Sequence, residues 1–321
     1  MTLAVAAVLN ARGASGPVVK TPEASSASGE IVAETTRANL VVLSARTGRV
    51  VRTLVTDVGV GAPFSVSPDG STLFFGQPSA PAYSCPGREV AAVPISGGTP
   101  QVVASAATQP AVSPDGHHLA YLSYLGPNGC TPPPQKLVIV PLSRRTMTAS
   151  QWTVPQGGQS LAQLSWAPDS RHLAYVLYDV NSGSYPRVLD TQVPGASLAG
   201  APYPQSDATG WYGYLGDTGE FLGLYQPGPD QQHSPEVVAL DPSTGAIRRR
   251  LVTLDGLTGV DALTSDPTGR HLLVVATRPG ASPSQSQNLG LYQWNEGERH
   301  VTLVATGILA ATWIPTSHHT R

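Results

Sequence analysis

Cysteine is nearly absent, with Cys85 and Cys130 the only two in 321 residues. That excludes a disulfide-framework domain and a four-thiolate metal site, and leaves one disulfide or two buried thiols. Charge is scarce as well. Asp, Glu, Lys and Arg make up 12% of the chain, about half the usual quarter, which excludes coiled coils, long solvated helices and charge-rich disorder. Lysine is rarest among the basic residues: only Lys20 and Lys136 stand among 19 Lys and Arg, the codon bias of a GC-rich, actinobacterial kind of genome. A net charge of −2 offers no sequence-wide positive field for phosphates or an anionic membrane surface, so nucleic acid is excluded as a partner. No Gly-x-Ser-x-Gly nucleophile elbow occurs.

Long apolar runs are also missing, since no stretch approaches the ~18 residues of a membrane span. The nearest is Leu3 to Leu9 within MTLAVAAVLNARGA, which lacks the positive n-region of a secretory signal. It is either the tail of a longer hydrophobic anchor or an ordinary N-terminal strand or helix. Residues 14–30 are rich in Ser, Ala, Gly and Pro and read as a linker. Residues 1–29 are therefore set apart, and any membrane association is expected through that segment alone.

What the chain has in quantity is turn-formers. Its 33 Gly and 30 Pro are about a fifth of all residues, above the ordinary ~12% and short of low-complexity disorder. They fall in a repeat. FSVSPDGSTLFFG at 64–76 recurs as PAVSPDGHHLAYLS at 110–123, LSWAPDSRHLAYVLY at 164–178 and LTSDPTGRHLLVVAT at 263–277, with a degraded copy, GYLGDTGEFLGLY, at 213–225. The turn positions 70, 116, 170, 219 and 269 are 46, 54, 49 and 50 residues apart, the period of a propeller blade. In each unit Pro presets φ and Gly supplies φ > 0 for a tight turn between two strands. A third strand follows (EVAAVPI, KLVIVPL, PRVLDTQV, EVVALDP, NLGLYQW), and then an edge strand such as PQVVAS, IRRRLVT or HVTLVAT. Residues 39–56 supply a third and a fourth strand without a first, and ILAATWIP at 308–315 is an innermost strand without a blade. Pairing them closes the count at six. The expected fold is all-β: a six-bladed β-propeller of four-stranded antiparallel blades over 30–315, closed by the C-terminal strand, with a tail at 316–321.

The Ser-Pro-Asp-Gly-x-x-Leu-Ala-Tyr unit resembles the repeat of the TolB-like six-bladed β-propellers, relatives of the WD-type propellers, and the resemblance covers nearly the whole chain. It implies the blade and not an activity, because Pro, Asp, Gly and the apolar pair serve a turn and a core. The separate N-terminal α/β domain of TolB itself has no counterpart here, so the partners of that protein are not implied.

Chemistry is thinly marked. His117, His118, His172 and His271 occupy the variable positions of the Asp-Gly turn in three blades and read as solvated turn residues, while His318 and His319 lie in the tail. Asp261 and Asp207 are the few acidic candidates near inner strands, and Asp261 reads as a solvated residue at a strand entrance. Trp166, Trp313, Tyr121 and Tyr175 read as packing between blades. No catalytic residue, metal ligand or cofactor is assigned. The connections between second and third strands (77–89, 126–135, 179–186, 226–235, 278–287) are long and all open on the face opposite the Asp-Gly turns, where binding elements gather on rigid scaffolds. Tyr83, Arg88, Tyr124, Asp179, Tyr185 and His233 are the candidate ligand-binding residues there, Tyr178, Trp211, Tyr212 and Tyr214 being further aromatics with stacking faces. Cys85 and Cys130 sit at near-equivalent places on adjacent blades and are expected to form a disulfide, which with the N-terminal segment points to an extracytoplasmic protein. The expected function is non-enzymatic binding or scaffolding by a monomer whose long-loop face engages a protein or glycan. Two alternatives stay open: a lactonase-like hydrolase or lyase with a central metal, and the sensor ectodomain of a larger membrane protein.

Overall fold

The computed structural model describes residues 29–79, 88–124, 135–142, 149–154, 159–179, 183–193, 195–198, 208, 210–227, 234–278 and 288–316, and every element among them is a β-strand. The chain opens with β1 (Glu30–Thr35), β2 (Leu40–Ser44) and β3 (Val50–Val55). Blade 2 is β4 (Phe64–Val66), β5 (Thr72–Pro78), β6 (Arg88–Pro94) and β7 (Gln101–Ser105). Blade 3 is β8 (Ala107–Val112), β9 (His118–Tyr124), β10 (Gln135–Pro141) and β11 (Ser150–Thr153). Blade 4 holds β12 (Gln159–Trp166), β13 (His172–Asp179) and β14 (Gly183–Asp190). Blade 5 is β15 (Gly210–Tyr214), β16 (Phe221–Tyr225), β17 (Glu236–Leu240) and β18 (Ile247–Thr253). Blade 6 is β19 (Thr258–Ser265), β20 (His271–Thr277), β21 (Leu289–Asn295) and β22 (Thr302–Thr306), and β23 (Ile308–Trp313) ends the series.

Six antiparallel sheets result, and β23 joins the N-terminal one in the order β23-β1-β2-β3, which makes blade 1. Ile31 opposes Trp313 and Ala33 opposes Ala311. The innermost strands touch in a closed circuit, β4 to β8, β12, β15, β19, β23 and back to β4. Blade 1 holds one strand more than the repeat announces: β1, which follows no Asp-Gly turn because its inner neighbour comes from the far end of the chain. Among the described residues blade 4 has three strands. Past its third strand, residues 191–193 and 195–198 lie beside β11 of blade 3, and the buried hydroxyl of Tyr175 in β13 donates to the Leu198 carbonyl at 2.6 Å. A groove of about 560 Å³ lies between that segment and β11.

Each Asp-Gly turn is wired by its own side chains. Ser67 Oγ donates to Asp69 Oδ1 at 2.5 Å and accepts the Thr72 N–H at 2.9 Å, while Asp69 accepts the Ser71 N–H at 3.0 Å. Ser113 and Asp115 repeat the pattern in blade 3. Gly70, at φ +70°, also permits a close approach, since a Cβ there would stand 2.3 Å from the Pro315 carbonyl oxygen beyond β23. The blades are then stapled along their inner strands. Ser65, Ser165 and Ser265 hydroxyls accept the N–H of Val112, Tyr214 and Gly216 in a neighbouring blade, at 3.1, 3.0 and 2.9 Å. Trp166 Nε1 donates to the Ala111 carbonyl at 3.0 Å. Apolar clusters fill the seams, with Leu73, Phe75 and Val42 between blades 1 and 2, and Leu222, Val237 and Leu272 between blades 5 and 6.

Candidate functional site

The two faces of the ring differ. On one, the Asp-Gly turns of neighbouring blades touch: the Asp115 N–H donates to Ser170 Oγ at 3.0 Å, and the Asp217 N–H donates to the Pro267 carbonyl at 2.8 Å. Three of the four histidines of these turns, His118, His172 and His271, are engaged and half-buried rather than fully solvated. The His118 ring lies 6.2 Å from that of Trp166 in the next blade, and the His271 ring lies 5.9 Å from that of Trp313. His271 Nδ1 is 2.8 Å from Asn295 Oδ1, and His172 Nδ1 is 2.6 Å from Asp169 Oδ2. His117 alone of the four is exposed. Among the described residues no three His, Cys, Asp or Glu side chains gather as metal ligands.

The opposite face carries the second-to-third connections. Four are long, joining β5 to β6, β9 to β10, β16 to β17 and β20 to β21. The fifth is shorter than its sequence suggests, because β13 and β14 stay paired until Asp179 opposes Gly183. Asp179 and Tyr185 therefore belong to strands, Tyr185 opposite Leu177. Tyr124 ends β9 opposite Gln135. Tyr83, His233, Cys85, Cys130 and Asp207 lie outside the described residues, as does the N-terminal apolar segment. Arg88 opens β6 with an exposed side chain.

Arg88 stands near a group that sequence reading passed over. Glu34 on β1 is fully buried; its Oε1 accepts the Gly61 N–H at 2.7 Å and its Oε2 has no partner among the described residues. Burial raises its carboxyl above the ordinary range, against the pull of the Gly61 and Ala62 amides and the Arg88 charge.

The channel entrance at this face is shaped by β-bulges. The registers of β8, β12 and β15 each skip, leaving Gln109 and Pro110, Gln163 and Leu164, and Tyr212 and Gly213 opposite a single residue of the second strand. Asp261 in β19 and Leu309 in β23 are single extra residues at the corresponding level. Bulges re-aim side chains. Val260 and Ala262 would share a face on a regular strand, yet Val260 packs toward blade 5 and Ala262 toward blade 1, which turns Asp261 out of both seams and into solvent. Gln109 and Gln163 hold φ of +57° and +56°, a left-handed conformation that costs ~1–2 kcal/mol away from glycine. A Gln109 Oε1 to Gln163 N–H bond of 3.3 Å ties the two bulges together. The Tyr212 hydroxyl donates to the Val260 carbonyl at 3.1 Å; burial, with Asp261 and Tyr178 nearby, pushes it up to about 12. Tyr178 is 39% exposed. Asp261 is thus a mid-strand bulge rather than a residue at a strand entrance, and burial of its surroundings holds its carboxyl above the ordinary range. The sequence signal for this belt is the spacing of Leu161 and Leu164, three apart in a strand yet packed in one seam.

No protein-family model matches the sequence, and no curated protein matches it either. Solved structures do. TolB from Acinetobacter baumannii superposes with a TM-score of 0.61 at 15% identity, over 90% of this chain and 67% of that one. A structure assigned as TolB from Agrobacterium tumefaciens gives 0.58 at 13% identity, over 89% and 94%. Prolyl oligopeptidase B from Galerina marginata gives 0.51 at 10% identity, over 85% of this chain and 39% of that one, so the chain spans about two fifths of its length. At these identities the likeness is one of fold. The chain is thus a six-bladed β-propeller whose fold is similar to that of TolB.

Proposed function

We propose that the chain is a non-enzymatic binding propeller that acts outside the cytoplasm, as a monomer, and engages a protein or glycan through its long-loop face. The observation that carries this reading is the coincidence, on one face, of four long connections with bulged polar side chains from the inner strands of blades 3 to 6. The other face is occupied by turns bonded to one another.

The test replaces Tyr83, Tyr124 and Tyr185 together by Ala, with His117→Ala and Arg270→Ala, both on exposed side chains of the turn face, as controls. Folding stability should stay within ~0.5 kcal/mol for each site. Capture of the partner from native envelope extract, read by mass spectrometry, should be lost in the tyrosine variant and kept in the controls, since aromatic anchors commonly contribute ~2 kcal/mol each. The reverse pattern would place binding on the turn face. Stoichiometric divalent metal in protein prepared without chelator would instead support the lactonase-like reading. For localisation, the readout is a mass rise of two protons when the Cys85–Cys130 disulfide is reduced; two alkylatable thiols in protein from its own compartment would overturn it.

A further inference from the structure

The belt of bulged residues is uneven around the ring. Blade 1 contributes Leu309, and blade 3 contributes Gln109, whose carbonyl oxygen is already bonded to blade 4. Blades 4 to 6 contribute the exposed Gln163, Tyr212 and the carboxylate of Asp261, and the exposed ring of Tyr178, on the second strand of blade 4, stands near Tyr212. Asp261 accepts no hydrogen bond and meets no cation among the described residues; burial alone acts on its carboxyl. Several carboxylates elsewhere on the blades are paired, as Glu30 on β1 is with Arg52, Asp190 on β14 with Arg171 and Glu236 on β17 with Arg250.

Tyr212 fixes the wall beside it. Its ring lies across Gly210, where a Cβ would come within 3.0 Å, and its hydroxyl is committed to the Val260 carbonyl. Asp261 is the fourth residue of β19, so it stands about 10 Å below the start of that strand at ~3.3 Å per residue. An unpaired carboxylate among protein walls loses part of its hydration, and walls of low dielectric focus its field along the channel. The group that offsets this is a cation narrow enough to descend the channel, at whose entrance blade 4 also offers an exposed aromatic face and an exposed amide.

We infer that the channel entrance at blades 4 to 6 takes a lysine or arginine side chain presented by a protein partner seated on the long-loop face. The inference deepens the binding reading and rests on it. A long stem with a charged head fits the depth, and a neutral sugar would leave the carboxylate unpaired. Gln163 Oε1 and Asp261 accept from the head group, and the Tyr178 ring covers its stem.

The full chain is tested with four immobilised decapeptide pools of random sequence, differing in one fixed central residue: lysine, arginine, citrulline or norleucine. The lysine or arginine pool should be retained about tenfold or more above the neutral pools. Asp261→Asn should abolish that preference without moving the melting temperature, because no bond within the fold is lost, and Asp261→Glu should restore part of it. Tyr178→Ala should weaken the retention of cationic pools severalfold. Equal retention of all four pools, retention of none, or an unchanged preference in Asp261→Asn overturns the inference. Retention that depends on Tyr83, Tyr124 and Tyr185 but ignores both the central residue and Asp261 would leave the binding reading standing and sink this one. Binding of neutral oligosaccharides that Asp261→Asn removes would assign the entrance to a glycan instead.

Discussion

Glu34 shows how one residue can couple the seam between blades 1 and 2 to pH. Its carboxyl is buried among Gly61, Ala62 and the field of Arg88, with one oxygen unpartnered among the described residues, and burial is the strongest influence on it. The folded chain therefore holds the proton more tightly than the unfolded chain. Such a group contributes stability that is present below the ordinary carboxylate range and is lost as pH rises through the raised folded value. Glu34→Gln keeps an acceptor for the Gly61 N–H and cannot ionise. Its melting temperature relative to the parent should rise as pH is taken from about 4 to about 8, and Arg88→Ala should widen the gap by removing the one favourable charge. A difference that stays flat or narrows would mean that the two amides and Arg88 outweigh desolvation, and that the carboxylate is the stabilised form.

Among the elements, the inner strands join the ring through backbone amides that their own sheets leave unbonded. A channel-facing edge exposes N–H groups with no ladder partner, and this chain satisfies several of them with a serine from the neighbouring blade. Replacing Ser165 by Ala orphans the Tyr214 N–H beside Gly213, whose φ of +108° and tight contact to Ser165 leave little room to adjust. Unfolding in urea should show a loss of about 1–3 kcal/mol with an unchanged m-value, and hydrogen exchange at Tyr214 should quicken. A loss under ~0.5 kcal/mol would demote the staple to ornament. How far the elements could be read from sequence follows from their wiring. The Ser-Pro-Asp-Gly turns announce five inner hairpins because each turn encodes its own hydrogen bonds. The β1 strand escapes because no turn precedes it. Pro186 reads as the end of a loop, yet it sits in β14 opposite Val176, tolerated where a strand has no further described neighbour to receive its missing N–H. The bulges escape for a different reason: an extra residue in an inner strand is fixed by the register against the second strand and by the packing of both seams, neither of which is local. Gln163 in SLAQLSW looks like an ordinary outward position until Leu161 and Leu164 are seen in the same cluster. The candidate face was therefore legible through loop lengths, and its polar belt was not.

For the whole molecule, the decisive contact joins residues almost three hundred positions apart. Without β23, the inner edge of β1 would be bare, β19 and β4 would face a gap, and the seam that holds Ile308, Ala311 and Trp313 against Ile31, Leu273 and Leu291 would open to water. Ile308 alone accounts for about 1.5–3 kcal/mol of burial. The loss extends past that strand, because Ile314 packs in the cluster between blades 1 and 2, and the Pro315 carbonyl meets the turn at Gly70. A closed ring leaves each blade only short, protected edges, whereas an opened one bares the inner edge of β1 as well, and unpaired edges recruit other chains. A chain ending at Gly307 should consequently fail to give a monomer with the parent melting temperature, and sedimentation should show aggregate or an expanded species. Gly70→Ala tests the same seam more gently: the added methyl would strain a φ of +70° and collide with the Pro315 oxygen, so it should lower stability more than Gly219→Ala, where φ is +73° but no atom lies within 4 Å. Equal effects of the two glycine substitutions would mean that only turn strain is at work. A truncated chain that stays monomeric and melts with the parent would show that β23 does not close the ring.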